Sequence, residues 1–343
     1  ELQSLLQEFP VSGLALFNSP FDNPLNVWKN REAALELVHE FSSKSLNHVR
    51  FLSADQEGGR VRRLRTPFVH LPSAEKLRES FDRLGKMSLI ENLYSLSAQQ
   101  MALTGIHLNF APVCDFRYAE SNAVVGDRSY GSNLQEVSPF VETFCRAFEK
   151  AGVKTTLKHF PGHGPTQLDS HEKVATTFKI KKKMMRDDRE IFLKTAEYAS
   201  AVITAHIAFE DEPERIFSLD PDLLREFKSG MPEHLFWITD DLLSMKAVSE
   251  RKPWRSAFDC NYDFILLCGD IDDSVKAIED TIRHAEKTTK NFDAELQIEK
   301  RAKRAAQFLA QKVTLPKFSD WREKILDLES QGNDCLEKLE IKI

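Results

Sequence analysis

Lys158, His159, His163, Asp169 and His171 fall within residues 158–171, a density of ionisable groups that invites chemistry. Gly162, Gly164, Pro161 and Pro165 interrupt any helix there, so turns must place these side chains. Asp169 and His171 are two apart, close enough for the carboxylate to hold one ring nitrogen while the other faces a substrate. Such a carboxylate favours the imidazolium, the form needed to protonate a leaving oxygen near neutral pH. The same Asp169, with His159, His163 and His171, could instead ligate a metal. Their spacing fits no standard zinc motif, however, and Lys158 would repel a cation. Loop histidines satisfied by backbone are the plain alternative, and a position just after a strand argues against it.

A second stretch, residues 236–245, runs an apolar strand into Asp240 and Asp241. A carboxylate at a strand tip opposite an acid suffices for glycoside hydrolysis, one group attacking the anomeric carbon and the other serving the leaving group. One of the two acids is expected to cap the segment that follows, and the sequence does not say which. Asp55 stands ahead of Gly58, Gly59 and the basic run Arg60, Arg62, Arg63 and Arg65. It can accept hydrogen bonds from sugar hydroxyls, and an arginine can reach a carboxylate or carbonyl. Arg128, in the loop 126–130, is suited to the same work. By itself, a basic run of this kind reads as a solvated face.

These residues need a frame. Near-continuous apolar runs occur at 11–17, 49–54, 106–113, 153–157, 201–205, 235–239 and 264–267, the mark of strands covered on both faces of a parallel sheet. Helical spacing fills 31–41, 86–104, 134–151, 186–198 and 274–287, with two more helices at 294–313 and 320–339. Polar groups arrive at the end of run after run: Asp55, Asp115, Lys158, His206 and Asp240. That distribution favours a closed (β/α)8 TIM barrel, an α/β fold, over an open sheet. Seven runs are visible, so either a first strand lies upstream of Glu1 or the barrel is incomplete. The expected organisation is a single catalytic domain over 1–343, with 313–343 a C-terminal helical extension.

Across 343 residues, 47 Lys and Arg oppose 53 Asp and Glu, a net charge of −6. No basic face is available for a phosphate backbone, so nucleic acid is not an expected partner. At 41% hydrophobic and 29% charged the chain should fold. No apolar run approaches the roughly 18 residues of a spanning helix, so no membrane span is expected. Cys114, Cys145, Cys260, Cys268 and Cys335 are scattered without a CxxC pair, which suits a reducing compartment and so the cytoplasm. The chain opens at Glu1 rather than Met, and a leader or lipid anchor upstream would not be visible in it.

Four segments together, residues 54–61, 109–115, 158–164 with 169–171, and 239–242, resemble glycoside hydrolase family 3, in particular its single-domain bacterial β-N-acetylglucosaminidases of peptidoglycan recycling. Order and spacing agree over roughly residues 11 to 312. The resemblance implies a cofactor-free, metal-independent (β/α)8 barrel that releases terminal β-linked N-acetylglucosamine from muropeptides with retention. It implies that Asp240 is the nucleophile and that His171, oriented by Asp169, is the acid/base. It also implies that Asp55, Arg63, Arg128, Lys158 and His159 bind the sugar. Residues 240–246 carry one Leu more than the usual pattern, at Leu243, and residues 246–248 lack a frequent Gly. Leu243 is the feature that favours a catalytically silent sugar-binding barrel, the first alternative. A metal-dependent hydrolase built on His159, His163 and His171 is the second.

Overall fold

The computed structural model describes residues 11–16, 30–46, 49–119, 124–166, 175–244, 248, 252–288, 292–308 and 315–342. The chain divides into two compact units, Glu1–Val113 with Asp127–Thr156 and Gln311–Ile343, and Cys114–Gly126 with Leu157–Ala310.

In the first unit lie β1 (Gly13–Leu16), β2 (Phe51–Ala54), β3 (Gln56–Gly58), β4 (Val61–Arg62), β5 (Ile106–Asn109) and the start of β6 (Lys154–Phe160). Strands β1, β2, β5 and β6 pair in parallel in that order. Every residue of β2 is buried, which is why the run reads as continuous rather than alternating. Helix Leu134–Lys150 buries Val137, Phe140, Val141, Phe144 and Phe148, a three- and four-residue spacing that makes one apolar stripe. It starts at Asn133, whose side chain accepts from the Glu136 N–H at 3.1 Å. Phe144 stacks on Phe148 and meets Tyr94 of helix Met87–Leu103 edge-on. Against that helix lies Phe318–Lys338, whose fully buried Trp321 donates its indole N–H to Leu103 O at 2.9 Å. Truncating Trp321 to Ala would cost about 3–5 kcal/mol.

The second unit holds the end of β6, β7 (Ala175–Thr176), β8 (Ala201–Thr204), β9 (Ile207–Ala208) and β10 (Phe236–Thr239). Here the strand order is β6, β8, β10, with β8 and β10 parallel from Ala201↔Phe236 to Thr204↔Thr239. Its core is aromatic. Phe160, at the end of β6, meets Phe192 at 5.2 Å and Trp237 at 5.1 Å, and Phe209 stacks on Phe227. Burying each ring stabilises by about 2–3 kcal/mol, and aromatic pairing adds up to about 1.5 kcal/mol. This cluster joins β6 to β10 just beneath the residues that emerge from their ends.

The expected runs from 11–17 to 235–239 contain β1, β2, β5, β8, β10 and the first part of β6. Three expectations need correction. Run 264–267 gives only a bridge, Ile238↔Phe264, because Thr239 Oγ1 takes the Leu266 N–H at 2.9 Å and Asp241 takes that of Cys268 at 2.7 Å. The helix expected at 186–198 is broken into Lys181–Arg186, Glu190–Thr195 and a 3-10 turn at Ala196–Tyr198, the first break falling where Asp188 turns inward. Strand β6 runs on to Phe160, so Lys158 and His159 stand on the strand rather than in the loop. The Cys114 N–H to Lys158 O bond, at 2.6 Å, and the Ala205 N–H to Phe160 O bond, at 2.8 Å, continue its pairing. Helices Ala74–Leu84, Pro221–Lys228 and Pro253–Asp259 and the β3–β4 hairpin were not expected from the sequence. Among the described residues no helix is long and apolar enough to cross a membrane. All five cysteines are free thiols, four of them buried.

Candidate active site

Lys158 and His159 are 3% and 8% exposed at the end of β6. Beneath them sits Asp115, 1% exposed, whose Oδ2 lies 2.7 Å from Nδ1 of His159. Its Oδ1 accepts the backbone N–H groups of His163 at 2.7 Å and His159 at 3.3 Å. Burial alone would raise the Asp115 carboxyl, but His159 and His163 outweigh it and hold the group below its usual range. His163 is itself buried, with Nδ1 3.0 Å from Thr166 Oγ1. Burial, reinforced by His159, pulls its ring down to about 4, so it is neutral at physiological pH.

Strand β10 delivers the paired acids. Asp241 is fully engaged in shaping the turn: Oδ1 accepts from the Leu243 and Cys268 N–H groups, and Oδ2 from the N–H and hydroxyl of Ser244. Asp240 is half-buried and accepts a backbone N–H from Asp241 at 2.9 Å. Burial works against its charge. His159 and His206, then the Asp241 N–H and Lys158, outweigh that and hold the carboxyl below its usual range. His206 is fully buried between Ser218 Oγ at 2.5 Å and Asp241 O at 3.1 Å, and burial lowers its pKa. Its carbonyl partner places the ring proton on Nε2, leaving Nδ1 to accept from the Ser218 hydroxyl.

In the first unit, Asp55 pairs with Arg63 at 3.5 Å. Arg128 forks onto Glu57, with Nε and Nη2 each 2.8 Å from a carboxylate oxygen. The hairpin carrying Arg63 is pinned by Gln56, whose Oε1 accepts from the Arg63 and Leu64 N–H groups. Asn109 in turn bonds the Gln56 N–H and C=O. Gly58, at φ 118°, leaves no room for a side chain, since a Cβ would stand 2.2 Å from Pro72 O.

Of the expected site residues, the structure groups Lys158 and His159 with Asp240, and Asp55 with Arg63. Arg128 is held by Glu57. Asp169 and His171 lie outside the described residues. Among the described residues no group of three or more His, Cys, Asp or Glu is arranged to hold a metal ion. Of the further contributors, Asp115 and His206 were read in the sequence only as polar groups at strand ends, without a role, and Glu57 was not singled out. They come six residues after β5, two after β8 and three after β2, and that position was the available signal.

The family 3 glycosyl hydrolase N-terminal domain matches residues 1–301. The chain belongs to glycosyl hydrolase family 3. A β-hexosaminidase of Pseudomonas aeruginosa is 32% identical over 79% of this chain and 79% of its own length. One of Glaesserella parasuis is 30% identical over 81% and 80%. Among solved structures, a family 3 β-N-acetylglucosaminidase from Paenibacillus sp. str. FPU-7 superposes with TM-score 0.74 at 25% identity over 95% of this chain. This chain spans only 62% of that longer one. NagZ from Neisseria gonorrhoeae shares the fold, with TM-score 0.71 at 21% identity over 95% and 93%. The family 3 domain is a TIM-barrel-like α/β fold, to which the parallel strands described above belong.

Proposed function

We propose that this family 3 chain is a retaining β-N-acetylhexosaminidase that releases terminal N-acetylglucosamine, with peptidoglycan-derived muropeptides as its substrate. The proposal includes a complete (β/α)8 barrel as a single domain over 1–343, with 313–343 its helical extension. One observation carries the reading: of two adjacent acids, Asp241 is consumed by the turn, while Asp240 stays ionised beside His159, His206 and Lys158. An ionised, half-buried carboxylate held by a lysine, by neighbouring imidazoles and by a backbone dipole is what a glycosidase nucleophile must be.

In the reaction proposed, a carboxylate oxygen of Asp240 attacks C1 as His171 gives its proton to the departing glycosidic oxygen. A glycosyl ester and a free alcohol result. His171, now neutral and oriented by Asp169, takes a proton from water, whose oxygen attacks C1 and frees Asp240. Two inversions give net retention. Asp55, Arg63, Arg128, Lys158 and His159 bind sugar hydroxyls and the acetamido group. A cationic acid beside an anionic nucleophile avoids the repulsion that a second carboxylate would bring. The free, mostly buried thiols support a reducing compartment as the place of work.

Hydrolysis of 4-nitrophenyl β-N-acetylglucosaminide, beside the β-glucoside, tests this. Turnover of the acetamido sugar with the β-anomer as first product is expected, and a fluorinated glycosyl donor should leave a mass adduct on the peptide bearing Asp240. Asp240→Ala should lose on the order of 10⁴-fold in kcat. An α-anomer as first product, or an active Asp240→Ala variant, would overturn the assignment.

A further inference from the structure

Tyr118, Lys179 and Asp188 close a triangle in the second unit. The Tyr118 hydroxyl donates to Asp188 Oδ1 at 2.7 Å, and Lys179 Nζ donates to the Tyr118 oxygen and to Asp188 Oδ2, each at 2.7 Å. Asp188 is 2% exposed, and burying a charged network costs solvation that its own contacts only partly offset. What the triangle touches gives it a purpose. A Cβ on Gly162 would lie 2.8 Å from Asp188 Cβ, so the backbone after His159 rests directly on this residue. A Cβ on Gly164 would lie 1.9 Å from Phe116 O and 3.3 Å from the Tyr118 ring.

Through Lys179 the triangle holds the end of one flank of residues 167–174, and that flank is bonded to the other and to β9. On one side Pro165 O accepts the Phe178 N–H at 2.9 Å, and Thr166 bridges Thr177. On the other, β7 pairs with β9, the Thr177 N–H donates to Ala208 O at 2.9 Å, and Thr177 Oγ1 donates to Lys179 O at 2.6 Å. The sequence between these flanks contains Asp169 and His171.

We propose that Asp188, held by Lys179 and Tyr118, is a positioning residue for the acid/base of the reaction, because it anchors Lys179 in one flank, 175–179, which in turn bonds the other, 165–166, and the sequence between the two carries Asp169 and His171. This rests on the assignment of His171 above. A group that misplaces the acid slows departure of a poor leaving group and spares a good one, which needs no proton.

The test is kcat/KM across aryl β-N-acetylglucosaminides from dinitrophenyl to phenyl, for wild type, Asp188→Asn, Tyr118→Phe and, as reference, His171→Ala. Loss of about 10–100-fold on the phenyl glycoside with less than about 3-fold on the dinitrophenyl glycoside is expected for both triangle variants. Tyr118→Phe removes only a hydroxyl, and it decides the matter if Asp188→Asn does not fold. Equal loss along the series, or no loss, in the triangle variants beside a steep response of His171→Ala overturns this inference alone. A flat response of His171→Ala overturns the acid/base assignment and the inference with it.

Discussion

The Asp115 carboxylate lies 2.7 Å from the His159 ring and 2.7 Å from the His163 backbone N–H, so a single buried charge sets the position of two histidines. The His159 bond also fixes a tautomer, with Nδ1 protonated and Nε2 left for its other contacts.

Asp115→Asn presents an amide where the ring proton was accepted. The expected result is a loss of about 10–100-fold in kcat/KM from a protein that still folds. Steady-state kinetics, with ¹⁵N chemical shifts of the imidazole to report the tautomer, check it. Wild-type kinetics with an inverted tautomer would show that the orientation is immaterial.

Arg128 spans both oxygens of Glu57, and a lysine cannot reproduce that fork. Arg128→Lys should raise KM by about 10-fold and change kcat by less than about 3-fold. A fall in kcat at constant KM would move Arg128 from sugar binding to the chemical step.

His163 makes acid stability measurable. Its ring titrates near 6.5 when unfolded and at about 4 when folded, so the unfolded chain takes up the proton first. The stability is fully present above about pH 6.5 and is lost as pH falls towards 4, by about 3 kcal/mol at the acid end. His163→Gln should flatten the change in urea midpoint across that window. An unchanged slope would place the acid sensitivity elsewhere.

Gly164→Ala would drive a methyl group to 1.9 Å from the Phe116 carbonyl oxygen, a backbone atom with little freedom to move. Destabilisation of about 3 kcal/mol is expected, read as a lowered melting temperature. A wild-type melting temperature would mean that the loop shifts freely there.

Strand order and chemistry were legible where single residues carry them. Buried parallel strands need apolar side chains on both faces, so β2 and β8 announce themselves. The choice between Asp240 and Asp241 came from the resemblance and was not legible in the residues themselves, because it depends on which carboxylate meets the N–H groups of Leu243 and Ser244 and, from farther along the chain, Cys268. Helix Pro221–Lys228 hides because it is short, although Asp220 caps it and Pro221 opens it. The break within 186–198 falls where Asp188 turns in to Lys179, nine residues before it, and to Tyr118, 70 residues before it. Asp115 sat in plain view after β5, but its partners come from another strand.

Phe160 follows His159, and Trp237 precedes Asp240 by three residues; the two rings meet at 5.1 Å. His159 and the nucleophile proposed above, Asp240, therefore hang from one apolar plug, with an indole as a built-in optical gauge of its integrity. Heat that loosens this plug should extinguish turnover and shift the Trp237 emission together, so the temperature of inactivation would mark the melting of a few rings rather than of the whole chain.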